Sequence, residues 1–203
     1  MNTKDEVLSD INLRNALATA VDFKSAVPAL LSDLAEPAEN IFSPVFGDYV
    51  DQTVQLPEHD LDAAKAYLKA AGYEDTDGDG FVDKAGQKLT LDITVTSNNE
   101  EDKALCAIMQ DQLKDAGIEL TITALDGATL KETTVSGDYQ LTMQGQNYVP
   151  TDDPTINYGG YWHSDSYYRV YTDDTLDEMV DDLRATADPD ERILKHRAAQ
   201  NYI

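Results

Sequence analysis

The sequence predicts an α/β fold, and three stretches between Leu61 and Leu125 predict it. Leu89, Leu91, Ile93 and Val95 alternate with Thr90, Asp92 and Thr94, the period of a half-buried strand. Leu105, Ile108, Met109, Leu113 and Ala116 then recur at helical spacing, with Gly117 just past the end, and Ile118, Leu120 and Ile122 return to alternation. Strand, amphipathic helix and strand with short connections make a right-handed βαβ crossover with parallel strands.

The flanking elements follow the same grammar. Asn12–Ala20 carries Leu13, Ala16, Leu17 and Ala20 on one side of a short helix. Asp22 caps a second helix through FKSAVPALLSD, where Pro28 removes a backbone donor and is expected to kink or restart it. From Glu36 to Pro57, Pro37, Pro44, Gly47 and Pro57 interrupt aromatic and polar residues without any period, which reads as a long ordered loop. Asp60 caps a helix bearing Leu61, Ala64, Leu68 and Ala71, and Gly72 terminates it. Tyr139, Leu141 and Met143 suggest one more strand. Near the end, Leu176, Met179, Val180 and Leu183 form a helical stripe, and Asp188, Pro189 and Glu191 supply cap, first-turn proline and capping-box acid for a final helix.

Composition narrows the function. The 203 residues can bury one sizeable core. With 39 acidic and 15 basic residues the formal charge is -24, which repels nucleic acid and anionic membrane alike. No stretch approaches the ~20 apolar residues of a membrane span, and MNTKDEVLSD has no apolar run of signal-peptide type. Cys106 is the sole cysteine, so no internal disulfide forms; beside the apolar stripe of its helix it reads as a small buried hydrophobe. Catalytic signatures are missing: there is no G-x-S-x-G, H-E-x-x-H or Cys-x-x-Cys, and the glycines of DGDG do not open a helix after a strand. The chain reads as a non-enzyme.

Two segments carry candidate site residues. Asp75, Asp77, Asp79 and Asp83, with Gly80 and Val82, match the first two thirds of an EF-hand loop, the pattern that wraps oxygen ligands around Ca²⁺. The closing position is Gly86 and strand residues follow, so a tight Asp/Gly turn between helix and strand competes with a structural Ca²⁺ site. The second segment is YQLTMQGQNYVPTDDPTINYGGYWH, a polar and aromatic loop leaving a strand end, where α/β sheets present ligands. Its candidates are Gln144, Gln146, Asn147, Tyr148, Thr151, Asp152, Asp153 and Trp162. Trp162 and its neighbours Tyr158, Tyr161, Tyr167, Tyr168 and Tyr171 stack on a ligand or pack the loop against the domain. His163 reads as a cleft residue, an imidazole ligand for a chelated metal, or a partly exposed structural histidine, and His59 and His196 receive no role.

The order of LDAAKAYLKAAGY, DTDGDGFVD, KAGQKLTLDITV and ALCAIMQDQLKDAGIELTI resembles the large carboxy-terminal lobe of the family 5 extracytoplasmic solute-binding proteins, which feed ABC importers of peptides and nickel. NLRNALATAVDFKSAV resembles that lobe's entry, and TLDEMVDDLRATADPDERILKHRAAQNYI its final helical pair. QGQNYVPTDDP keeps Gly145 and the Asp153–Pro154 pair of a family pattern close to G-W-x-x-D-x-x-D-P, with Gln146 in the tryptophan place and one extra residue of spacing. The resemblance implies a periplasmic-binding-protein-like (type II) lobe with a mixed sheet flanked by helices, residues 1–203 forming one carboxy-terminal lobe whose amino-terminal lobe lies outside the sequence. It further implies that a small solute, first of all an oligopeptide, is captured between lobes and passed to a membrane permease. The full-length protein would then be extracytoplasmic, periplasmic or a cell-surface lipoprotein. A Ca²⁺-stabilised acidic surface or adhesion module is the alternative from another class.

Overall fold

The computed structural model describes residues 1–145, 153–166 and 173–203. By its contacts the chain divides into two compact units, one of residues 1–37 and 57–145, the other of 38–56 and 146–203.

The first unit begins with α1 (Ile11–Ala20), whose cap Asp10 accepts from the amide of Asn12, and α2 (Phe23–Leu31), whose cap Asp22 accepts from Ser25. The second helix runs through Pro28, and the Ser32 amide bonds back to the Pro28 carbonyl. Next comes α3 (Leu61–Ala70), capped by Asp60 and ended by Gly72 at φ +86°. A two-residue hairpin pairs β1 (Asp83–Lys84) with β2 (Gln87–Lys88). The strand β3 (Thr90–Thr96), helix α4 (Glu100–Asp115) and strand β4 (Glu119–Leu125) then realise the crossover the sequence predicts. Finally α5 (Gly127–Ser136) leads to β5 (Leu141–Met143). The sheet order is β4-β3-β5, parallel throughout, with β3 in the centre.

Period two gives this sheet two unlike faces. Leu91, Ile93 and Val95 join Leu13, Leu17, Leu68, Cys106, Leu113, Ile118 and Leu141 in one apolar core. The opposite face is polar: Asp92 Oδ2 accepts from Thr121 at 2.9 Å and Thr123 at 2.6 Å, and Thr90 donates to Glu119 at 2.8 Å. Cys106 is fully buried and its thiol pKa is pushed up to about 11 by that burial and then by Asp102. It is an inert packing group, as its place beside the stripe predicts.

The β1–β2 turn holds one strained residue. Ala85 and Gly86 sit at φ +53° and +75°, so both central positions of this two-residue turn are left-handed. Only the second is a glycine. Ala85→Asn should therefore stabilise the first unit by about 1 kcal/mol, measured by urea denaturation. A destabilised variant would show that Ala85 makes a compensating contact.

The second unit contains a 3₁₀ segment, Pro44–Tyr49, inside the region the sequence reads as loop. It also holds α6 (Thr155–Tyr161), α7 (Asp174–Ala185) and α8 (Pro189–Tyr202). Asp173 and Asp188 cap the last two helices, with Pro189 in the first turn of α8. Their apolar faces meet in a core of Phe42, Phe46, Val50, Tyr158, Leu176, Val180, Leu183 and Ala199. Gln200, 1% exposed, ties the 38–56 segment to α8: its Oε1 accepts from Asp51 at 2.9 Å and its Nε2 donates to Asn40 at 2.7 Å.

Candidate solute-binding edge and acidic turn

The carboxyl ends of the three parallel strands gather the residues that a ligand of this sheet would meet. The route from β3 through α4 goes to one neighbour, and the route from β4 through α5 returns past β3 to the other side. Right-handed crossovers in opposite directions put their helices on opposite faces, so the chain leaves β3 and β4 toward different sides, the arrangement in which α/β sheets present ligands at strand ends. Ser97 ties the two strand ends together, its amide donating to Leu125 at 2.7 Å. Asn99 caps α4, accepting from the amides of Glu101 and Asp102, and Asp126 caps α5, accepting from Ala128 and Thr129.

Gln144 follows β5 at this edge. Its Nε2 donates to Thr134 of α5 at 2.8 Å and to Thr142 at 3.2 Å, which orients the amide from two elements. The neighbouring Gly145 amide bonds the carboxylate of Asp102, whose pKa is nonetheless raised, chiefly by its partial burial in the first turn of α4 and also by Glu101. Asn99, Asp102, Asp126 and Thr134 were not sequence candidates. The two caps had a local signal, a short polar residue just before a helix; the contact of Asp102 had none.

The remaining candidates fall differently. Gln146, Asn147, Tyr148, Thr151 and Asp152 lie outside the described residues, as do Tyr167, Tyr168 and Tyr171. Asp153 is bound within the second unit: it pairs with Nη2 of Arg192, accepts from Arg192 Nε at 2.9 Å, and accepts the Thr155 amide at 2.9 Å, opening α6. Arg192 also donates to the carbonyls of Leu183 at 3.0 Å and Thr186 at 2.7 Å. Trp162 ends α6 and packs on Phe42 and Tyr158, with ring centroids at 5.6 and 5.7 Å.

At the acidic turn, Asp75, Asp77 and Asp79 each bring one carboxylate oxygen to within 4.8 Å of the others, all exposed. The turn is largely self-satisfied. Asp75 accepts the amides of Gly78 and Gly80, Asp77 that of Asp79, and Asp79 that of Phe81. Asp83 turns to Thr76 and accepts from its amide at 3.0 Å and its hydroxyl at 2.7 Å. Lys88 reaches in from β2, 2.8 Å from Asp79 Oδ2 and 4.2 Å from the centre of the Phe81 ring. Its hydrogen bond holds the Asp79 carboxyl below its ordinary pKa. The donor set suits a hard cation, but an ammonium already serves one of its carboxylates.

Comparison with known proteins places this geometry. Residues 1–168 match the family described as bacterial extracellular solute-binding proteins, family 5 middle. The oligopeptide-binding protein AppA of Bacillus subtilis (strain 168) is 33% identical over 133 residues, 64% of this chain and 24% of that protein. The di/tripeptide-binding protein 2 of Pseudomonas aeruginosa (strain UCBPP-PA14) is 26% identical over 209 residues, 100% of this chain and 37% of that protein. Among solved structures, AppA from Bacillus subtilis in complex with a nonapeptide superposes with a TM-score of 0.86 at 26% identity, covering 100% of this chain and 41% of that one. The chain thus spans well under half the length of these relatives. With its parallel sheet, flanking helices and family match over most of its residues, the chain belongs to the bacterial extracellular solute-binding proteins of family 5.

Proposed function

We propose that this chain is one lobe of the substrate-binding component of an ABC importer, and that its solutes are oligopeptides. The observation that carries the reading is the superposition of the whole chain on a peptide-loaded oligopeptide-binding protein. In this reading solute is enclosed between this lobe and a second one, which excludes water and leaves backbone and polar groups to hold the peptide. Gln144 and the strand-end residues beside it face the peptide backbone, and Gln146, Asn147, Tyr148, Thr151 and Asp152 stay candidates for ligand contact on their sequence alone. The closed form is handed to a membrane permease outside the cytoplasm, and no bond is made or broken in the solute. Peptide titration of the two-lobed protein carrying Gln144→Ala tests the assignment of the edge. A several-fold loss of affinity with unchanged melting is expected; unchanged affinity would place the peptide elsewhere.

At the acidic turn we infer that Ca²⁺ binds only in competition with Lys88. Lys88→Met should tighten calorimetric Ca²⁺ binding several-fold, and Asp77→Asn should abolish it. Equal Ca²⁺ affinity with and without the lysine would contradict the competition.

A further inference from the structure

The chain leaving β5 is held from both faces of the sheet. Leu141 and Met143 lie in the apolar core, so by period two Thr142 and Gln144 point to the opposite face, where α5 packs with Leu130 and Thr134 buried. There Nε2 of Gln144 donates to the Thr134 hydroxyl oxygen at 2.8 Å and to that of Thr142 at 3.2 Å. Thr134 gives its own hydroxyl proton to the Leu130 carbonyl, 2.7 Å away. Its oxygen is therefore left as an acceptor, which fixes the Gln144 amide with Nε2 inward. Among the described residues no donor meets the other end, Oε1.

On the core face the next residue, Gly145, gives its amide to Asp102 of α4. That helix has no need of this acid: Asn99 caps it, and Glu100 and Glu101 already complement its dipole in the first turn. Asp102 is half-buried, and its burial first and Glu101 second push its carboxyl pKa up. A carboxylate kept there against the cost to its own charge, at the end of the sheet where ligands are met, serves something other than the helix. What it holds is the backbone directly after Gln144.

We propose that Thr134 and Asp102 are positioning residues for the solute: Thr134 turns Oε1 of Gln144 outward as an acceptor for one backbone N–H of a bound peptide, and Asp102 fixes the backbone that carries it. The inference rests on the peptide reading above and supplies the chemistry of one contact. An amide oxygen meets the N–H that peptides repeat along their length, so this contact selects for peptide backbone and is indifferent to side chains. An amide already anchored from two elements has little rotamer freedom left to lose on binding, which is what the positioning contributes.

The test is calorimetric titration of the two-lobed protein with a mixed peptide pool, in the wild type, Thr134→Val, Thr134→Ser, Asp102→Ala, Gln144→Ala and the double variant Thr134→Val with Gln144→Ala. Thr134→Val and Asp102→Ala should each weaken binding about fivefold, and Thr134→Ser, which keeps the hydroxyl, should restore it. The double variant should bind no more weakly than Gln144→Ala alone, because the hydroxyl acts only through that amide. A threonine with a merely structural role would give additive losses instead. Wild-type affinity in Thr134→Val, or additive losses in the double variant, would overturn the inference and leave the peptide reading standing. No heat from the wild type would remove the peptide reading, and the inference with it.

Discussion

Between pH 7 and pH 4 the second unit should lose about 3 kcal/mol of folding stability through His196 alone. This ring is fully buried on α8, with Phe42 at 4.7 Å, Tyr158 at 4.9 Å and Tyr49 at 5.6 Å, and among its polar neighbours the Tyr49 backbone opposes the effect of burial most, without outweighing it. Burial pushes its pKa down to about 4, because a charge there would lose its hydration. In the unfolded chain the ring titrates near its ordinary 6.5. Above that value both states are neutral and pH has no effect through this group. As the pH falls below 6.5 the unfolded state takes up the proton first, so stability declines until the folded state also binds it near pH 4. Urea denaturation followed by Trp162 fluorescence, with His196→Leu as the reference, isolates this contribution from that of the carboxylates. The difference in stability between wild type and variant should shrink by that amount from pH 7 to pH 4. A difference independent of pH would show that the imidazole finds a proton acceptor in the fold.

Arg192→Met should destabilise the same unit by about 3 kcal/mol at pH 7. One guanidinium binds the Asp153 carboxylate, the Thr155 hydroxyl and the carbonyls of Leu183 and Thr186, joining the starts of α6 and α8 to the end of α7. Methionine preserves the aliphatic stem but removes the guanidinium fork from Asp153 and the donor from two carbonyls. Arg192→Lys keeps the charge and loses the fork, so an intermediate loss is expected. Thermal melts of both variants beside the wild type check the order. A loss below about 1 kcal/mol for Arg192→Met would show that Asp153 and the carbonyls are satisfied by water.

The two helices the sequence reading passes over are those whose local signal is weakest. In α5, Thr133, Thr134 and Val135 form a β-branched run that disguises a helix, although Asp126 at its start and Gly137 at φ +79° after its end are sound caps. In α6, Gly159 and Gly160 among tyrosines look like loop, and the helix is held instead by its packing on Phe42 and by Arg184 against Gly159. The β1–β2 hairpin is too short to show any period. By contrast β3, α4, β4 and the stripes of α1, α3 and α7 follow from spacing, because each buries a single face against one core, and the caps of α2, α3 and α8 follow from a short acid just before the helix.

Site residues were less legible for a different reason. Asp153 reads as a ligand-facing acid until Arg192, 39 residues later, is seen to occupy it. Asp83 has the spacing of a Ca²⁺ ligand, but Thr76 claims its carboxylate through two hydrogen bonds. Neither partner is encoded in local periodicity. Gln144 is the converse case, since its position after a strand is readable and its anchoring by Thr134 of α5 explains how its amide is held.

The central claim is that this lobe supplies part of a surface that encloses a peptide. Side-by-side calorimetric titration of the two-lobed protein and of the 203-residue chain with a mixed peptide pool tests it most directly. Saturable heat in the two-lobed protein, with little or none in the chain alone, is the predicted result, because on the proposed reading one lobe would supply only about half of the enclosing surface. Submicromolar binding by the chain alone, or no peptide heat in the two-lobed protein, would contradict the account.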